Sequence, residues 1–235
     1  MRRTHGSSFL AVAFTAAFTA AFILACSRRA PPQIIAGDLV PSSRGETAIR
    51  DTLEQVLDRA ERDSAFPGAI AVVGTRDRIV ATYAVGHLDW APSPVPNDRT
   101  LWDLASLTKV IGLTNGIMQL VSQGRMSVDA PVQRYLPTWT GRNKDRVTIR
   151  HLLTHTSGLP AFKAYDEITH DPDSLAKLMF STPLDTTPGA RMVYSDIGAW
   201  TLGRVLETVT GQTLDAYLHD HVFKPAGMDD TQYKP

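Results

Sequence analysis

The sequence predicts an α+β fold in which an α/β lobe is combined with an all-α lobe, and three observations carry that expectation. Residues 49–60 alternate apolar and charged side chains with a helical period, residues 69–86 hold two short β-prone runs about a turn, and helical periodicity dominates after Ser106. The 235 residues are 43% apolar, with 24 basic and 24 acidic side chains, enough for one sizeable globular core. Charges of both signs are interspersed, and no basic block or repeat points to a nucleic-acid partner.

The first residues read as an address. Arg2 and Arg3 precede an apolar run from Phe9 to Ala25 that ends in Ile23-Leu24-Ala25-Cys26. Small and aliphatic residues before a lone cysteine resemble a bacterial lipobox, so residues 1–26 are expected to be a signal peptide with Cys26 as the lipidation site. Cys26 is the only cysteine and has no partner for an internal disulfide. The expected location is the periplasmic face of a membrane, reached by export and held by the lipid. An ordinary secretory signal, or an uncleaved anchor on a run slightly short for a span, is the alternative. Residues 27–45 are rich in Ser, Arg, Pro and Gly and read as a linker.

The folded domain is expected over residues 46–235. Ile49, Leu53, Val56, Leu57 and Ala60 form one stripe of an opening helix, with Arg50, Asp51, Glu54, Asp58 and Arg59 on its other side. Ala69 to Gly74 and Ile79 to Gly86 follow as strands, joined through Thr75-Arg76-Asp77-Arg78 into a hairpin. After an extended stretch, Ser106 opens a helix predicted to run to about Gln123 and to stop at Gly124, a natural cap residue. Leu107, Val110, Ile111, Leu113, Ile117, Met118, Leu120 and Val121 make it apolar almost all round, so it is expected to be central.

One side chain in that helix needs a reason. Lys109 is the only charged residue between Asp103 and Arg125. It stands three residues after Ser106, about one turn away on the same face, within reach of the hydroxyl. Burial among Leu107, Val110, Ile111 and Leu113 is expected to disfavour the ammonium and lower its pKa toward that of a general base. The pair reads as a nucleophile with its activator, at a helix end whose dipole and N–H groups suit an oxyanion. A second Ser-x-x-Lys, Ser174 to Lys177, follows Asp171-Pro172-Asp173 and reads instead as an N-capping serine on a short surface helix.

Downstream runs add specificity. Val147-Thr148-Ile149-Arg150-His151-Leu152-Leu153-Thr154-His155-Thr156-Ser157-Gly158-Leu159-Pro160 is followed by Pro188-Gly189, by Tyr194-Ser195-Asp196, and by Phe223-Lys224-Pro225-Ala226-Gly227-Met228. With Ser106 to Lys109, these runs resemble the serine β-lactamase-related superfamily, particularly its class C-like branch with esterases and D-amino-acid peptidases. The resemblance covers roughly residues 46–235. It implies a β-lactamase/DD-peptidase-like fold and a serine hydrolase acting through an acyl-enzyme on an ester, amide or β-lactam bond of a small-molecule or peptide substrate. It implies neither a metal nor an organic cofactor. Ser106 would be the acylated nucleophile, Lys109 its proton acceptor, and Tyr194 the hydroxyl that relays the proton to the leaving group. A neighbouring ammonium would lower the tyrosine pKa as that role requires; a packed tyrosine with a locally satisfied hydroxyl is the plainer alternative.

Two departures stand out. The tyrosine motif of the family usually ends in Asn, whereas this chain has Asp196, and an ionised Asp accepts hydrogen bonds but cannot donate them. Asp196 is therefore expected either to bind substrate in a way that disfavours penicillin-like acylamino groups or to cap the helix whose stripe is Ile197, Trp200, Val205, Leu206 and Val209. The family's third motif, Lys or His followed by a small residue and Gly, has no match here. The resemblance thus implies the front part of a longer hydrolase, with a catalytically incomplete fragment or a non-catalytic binding module as the alternative. His151 and His155, four apart, lack the Glu of a zinc-protease motif and read as structural, while His219 and His221, two apart, point to different faces. No Gly-x-Ser-x-Gly elbow occurs, which sets a Ser-His-Asp hydrolase behind.

Overall fold

The computed structural model describes residues 44–233, so the expected leader, Cys26 and the linker up to residue 43 lie outside the described residues. The described residues divide into two compact units, 44–102 and 103–233.

In the first unit, α1 (Arg44–Arg62) is followed by the antiparallel strands β1 (Gly68–Gly74) and β2 (Ile79–Gly86). Gly68 pairs with Gly86 and Gly74 with Ile79, with an irregularity between Val73 and Gly74 that absorbs one residue near the turn. The helix packs on the hairpin. Tyr83 on β2 donates its hydroxyl to Asp58 on α1 at 2.7 Å, and Arg78 at the turn pairs with Glu46 on α1. The helix and hairpin predicted for residues 49–86 are thus both present, tied together by polar contacts as well as by packing.

The second unit is helical. A helical segment begins at Leu107, passes through a π-helical turn at Lys109–Thr114, and continues as α2 (Asn115–Ser122). Short helices follow as α3 (Ile149–Leu153), α4 (Pro172–Ser181), α5 (Asp196–Thr210) and α6 (Leu214–Leu218), the last running into a second π-helical turn at His219–Phe223. The core is made by Ile117 and Leu120 of α2, Val132, Trp139 and Val147 of the intervening loops, Ile149 and Leu152 of α3, Ile197, Val205 and Leu206 of α5, and Leu218 of α6, each at most 2% exposed. Gly116 lets α5 and α6 side chains close in on α2, since a Cβ there would lie 2.7 Å from a Leu206 methyl and 2.8 Å from a Leu218 methyl.

Several local expectations need correction. The helix after Ser106 is not buried all round: Ile111, Leu113, Ile117 and Leu120 face the core, while Leu107, Val110 and Met118 are exposed. Its first turn is wide rather than α-helical, and side chains take the carbonyls that the wide turn leaves without α-helical partners. Asn115 Nδ2 donates to the Val110 and Ile111 carbonyls at 2.8 and 3.0 Å, and Thr114 Oγ1 donates to that of Lys109 at 2.8 Å. Asp171, not Ser174, caps α4, accepting the Ser174 N–H at 2.9 Å. Ser195, not Asp196, caps α5, accepting the Gly198 N–H at 3.1 Å. In both cases the residue one or more positions earlier in the chain has the extended backbone that a cap requires.

Candidate active site

Two loops and one helix end meet in the second unit. The first loop leaves α3, whose N-terminus is closed by a reciprocal cap: Thr148 Oγ1 accepts the His151 N–H at 3.3 Å, and His151 Nδ1 accepts the Thr148 N–H at 3.2 Å. His151 is thereby structural. The chain then runs through Thr156, Ser157 and Gly158, and a second loop, Thr186 to Ser195, lies alongside it. Gly189 N–H donates to Thr156 O, Val193 N–H to His155 O, and Asp196 N–H to Ala161 O, all at 2.8–2.9 Å. Ser195 Oγ, buried, donates to Pro160 O at 2.7 Å. Gly158 is required at this crossing, because its φ is +86° and a Cβ would sit 2.2 Å from the Thr186 carbonyl oxygen. These ties fix Tyr194 and Asp196 at the start of α5.

Ser106 arrives from the other side. Ala105, just before it, has φ +43°, a left-handed conformation uncommon for a non-glycine residue, and its N–H is held by Asp103 Oδ1 at 2.8 Å. This strained turn leaves Ser106 exposed at the head of the helical segment. Lys109 Nζ donates to Ser106 Oγ at 3.0 Å and reaches Asp196 Oδ1 at 2.7 Å. It also lies 5.1 Å from the centroid of the Tyr194 ring. An ammonium has three donors, and two of them here meet the Ser106 hydroxyl and the Asp196 carboxylate.

The charges follow from this arrangement. Burial opposes the Lys109 ammonium, as the sequence led one to expect, and is the largest single influence. The hydrogen bonds and charges of Asp196 and Tyr194 together outweigh it, so Lys109 is held above its ordinary 10.5 rather than lowered toward a base. The carboxylate at position 196 is the reason the expectation fails. Tyr194 moves the other way: hydrogen bonds from Ser106 and then Lys109, with the lysine's charge, hold its hydroxyl below the ordinary 10.0 against burial and the charge of Asp196.

The structure therefore brings Ser106, Lys109, Tyr194 and Asp196 together across some ninety residues of sequence. Ser174 and Lys177 stay apart on α4, and His219 pairs with its neighbour Asp220 at 2.8 Å. One neighbour of the site escapes sequence reasoning. His155 stacks on Tyr194 with ring centroids 4.6 Å apart, and its Nδ1 accepts the Ser195 N–H at 3.1 Å. Its spacing from His151 reads as one helix face, yet His155 falls beyond the helix end with φ +56°.

The family model described as Beta-lactamase matches residues 49–235. The chain belongs to the Beta-lactamase family. It is 34% identical over 227 residues to the N-acetylmuramyl-L-alanine amidase of Bacillus subtilis (strain 168), covering 85% of this chain and 51% of that protein. It is 36% identical over 197 residues to Esterase EstB of Burkholderia gladioli, covering 76% of this chain and 50% of the relative. Among solved structures it is similar to EstCE1, described as a hydrolase with promiscuous acyltransferase activity, with a TM-score of 0.70, 25% identity, and 79% of this chain and 53% of that one covered. The chain spans about half the length of the curated relatives it matches. Family and neighbours agree with the α+β fold expected from the sequence.

Proposed function

We propose that the protein is a serine hydrolase that works through an acyl-enzyme on Ser106, with Tyr194 as the proton acceptor and Lys109 as a standing ammonium. The observation that supports this most is the contact of Lys109 Nζ with two oxygens, Ser106 Oγ at 3.0 Å and Asp196 Oδ1 at 2.7 Å. An ammonium whose hydrogens point at Ser106 Oγ cannot take that atom's proton, whereas a phenolate can. In this reading the Ser106 hydroxyl proton passes to Tyr194 as Oγ attacks the substrate carbonyl carbon, and the carbonyl electron pair moves onto oxygen. The backbone N–H of Ser106, in the opening turn of the helical segment, stabilises that oxyanion. Collapse expels the leaving group, which takes the proton back from Tyr194. Water then gives a proton to Tyr194, attacks the acyl carbon, and releases Ser106, which recovers its proton from the tyrosine.

The substrate class follows from Asp196. A carboxylate already bonded to Lys109 offers no donor to an acylamino carbonyl, so simple esters, or amides without such a group, are favoured over penicillins. The name of one relative, an esterase, fits this class. The same reading takes the run before Cys26 as an export and lipid-anchoring signal, with the protein on the periplasmic face of a membrane.

Labelling with a fluorophosphonate, followed by intact mass and peptide mapping, tests the chemistry. The adduct is expected on Ser106. It should be absent in Ser106→Ala and about 10²- to 10⁴-fold slower in Lys109→Ala, the range for loss of a group that sets proton transfer. An adduct on Ser174 or Ser157, or none on the wild type, would refute the assignment. For the anchor, membrane fractionation with and without Cys26→Ser is decisive, and unchanged partitioning would refute it.

A further inference from the structure

We infer that His155 is the positioning residue for Tyr194, holding it through a neutral imidazole with the proton on Nε2. The inference rests on Tyr194 being the proton acceptor. His155 touches three consecutive residues: its carbonyl accepts the Val193 N–H at 2.8 Å, its ring lies 4.6 Å from that of Tyr194 at 37°, and its Nδ1 accepts the Ser195 N–H at 3.1 Å. The tyrosine is thus clasped by its flanking amides and its ring face. A glycine would adopt φ +56° just beyond α3 without strain, so a histidine there is explained by what its side chain does.

The clasp has a built-in protonation requirement. Nδ1 can accept from Ser195 N–H only while it carries no proton; in the imidazolium the two N–H groups would face each other. Burial first, then the Lys109 ammonium, disfavours the imidazolium, against a smaller pull from the Asp196 carboxylate, so the ring titrates below the ordinary 6.5. Lys109, Asp196 and the Tyr194 phenol are the titratable groups facing this ring.

The rate of fluorophosphonate labelling against pH, in wild type, His155→Asn and His155→Gly, reads this out. Below the tyrosine pKa, log rate should fall with unit slope as phenolate is lost, and should steepen toward a slope of two below the His155 pKa. Asn tolerates the left-handed backbone and offers an acceptor near the Nδ1 position. His155→Asn should therefore label within about threefold of wild type at pH 8 and keep unit slope down to pH 5. His155→Gly keeps the backbone but loses ring and acceptor, and should label at least tenfold more slowly. In parallel, ¹⁵N shifts of the imidazole should show the Nε2–H tautomer and a pKa below 6.5 whatever the activity. Wild-type labelling on Ser106 with an equal rate in His155→Gly would overturn the positioning role alone. Absence of labelling in wild type would overturn the catalytic reading and the role built on it, while an Nδ1–H tautomer would overturn the clasp itself.

Discussion

Lys144 is the least expected charge in the fold, and it yields a quantitative prediction. Its side chain is 1% exposed, its Nζ donates to the Phe180 carbonyl at the end of α4 at 2.5 Å, and it lies 4.7 Å from the Trp139 ring centroid. No carboxylate is among these contacts, and burial lowers its pKa from 10.5 to about 8. Between those two values the unfolded chain binds the proton and the folded chain does not, so stability rises with pH across the window. The full displacement corresponds to about 3 kcal/mol, of which about 2 kcal/mol falls between pH 7 and pH 9.5. In Lys144→Met the stem still packs, while the burial of the charge and its pH dependence vanish. At neutral pH the relief of the buried charge is offset by an unpartnered Phe180 carbonyl, about 1–3 kcal/mol, so the two proteins should be similar in stability there. Urea denaturation at pH 7, 8, 8.5, 9 and 9.5 would show the wild type gaining about 2 kcal/mol over the variant. Groups common to both proteins cancel in the difference. Parallel curves would refute the idea that Lys144 titrates early because it is buried.

Asp196→Asn removes the ion pair that raises Lys109, so the alkaline loss of labelling, where the ammonium is discharged, should move to lower pH. The same change restores a donor, and should raise turnover of a chromogenic cephalosporin relative to a short nitrophenyl ester; an unchanged ratio would leave Asp196 as a charge partner only. Gly158→Ala forces a Cβ against a backbone oxygen at positive φ, whereas Gly116→Ala presses on two leucine methyls. Calorimetry should place Gly116→Ala about 1–3 kcal/mol below wild type and Gly158→Ala lower still. Asn115→Leu leaves the Val110 and Ile111 carbonyls without their side-chain donor and should destabilise by about 1–3 kcal/mol, with amide exchange fastest around the wide turn; exchange unchanged there would separate Asn115 from the turn.

What could be read in advance was whatever repeats along the chain. The stripe of α1, the hairpin about Thr75 to Arg78, and the lysine three residues after a helix-opening serine are local patterns, and the structure contains each of them. The charge of Lys109 was not legible, because its balance is set by Asp196 and Tyr194, more than eighty residues away. The contact of His155 with Tyr194 was hidden for the same reason, and its spacing from His151 actively misled, since the helix ends between them. Caps were displaced by a residue or more because Asp, Ser and Thr cluster at helix starts and the sequence does not say which one has the extended backbone.

The wide turn at Lys109–Thr114 acts on angle as well as on hydrogen bonding. In an unbroken α-helix, residues eleven apart lie within about 20° of one another around the axis. Ser106 and Ile117 are so spaced, and the serine would share the azimuth of the buried Ile117 and Leu120. One additional residue in the turn rotates everything before it by about 100° relative to everything after it. The nucleophile is thereby swung off the core-facing meridian while α2 keeps its own. Deleting a single residue from 110–114 would therefore turn Ser106 and Lys109 inward without changing either of them, so the number of residues in this turn, as much as their identity, decides whether the hydroxyl can meet a substrate.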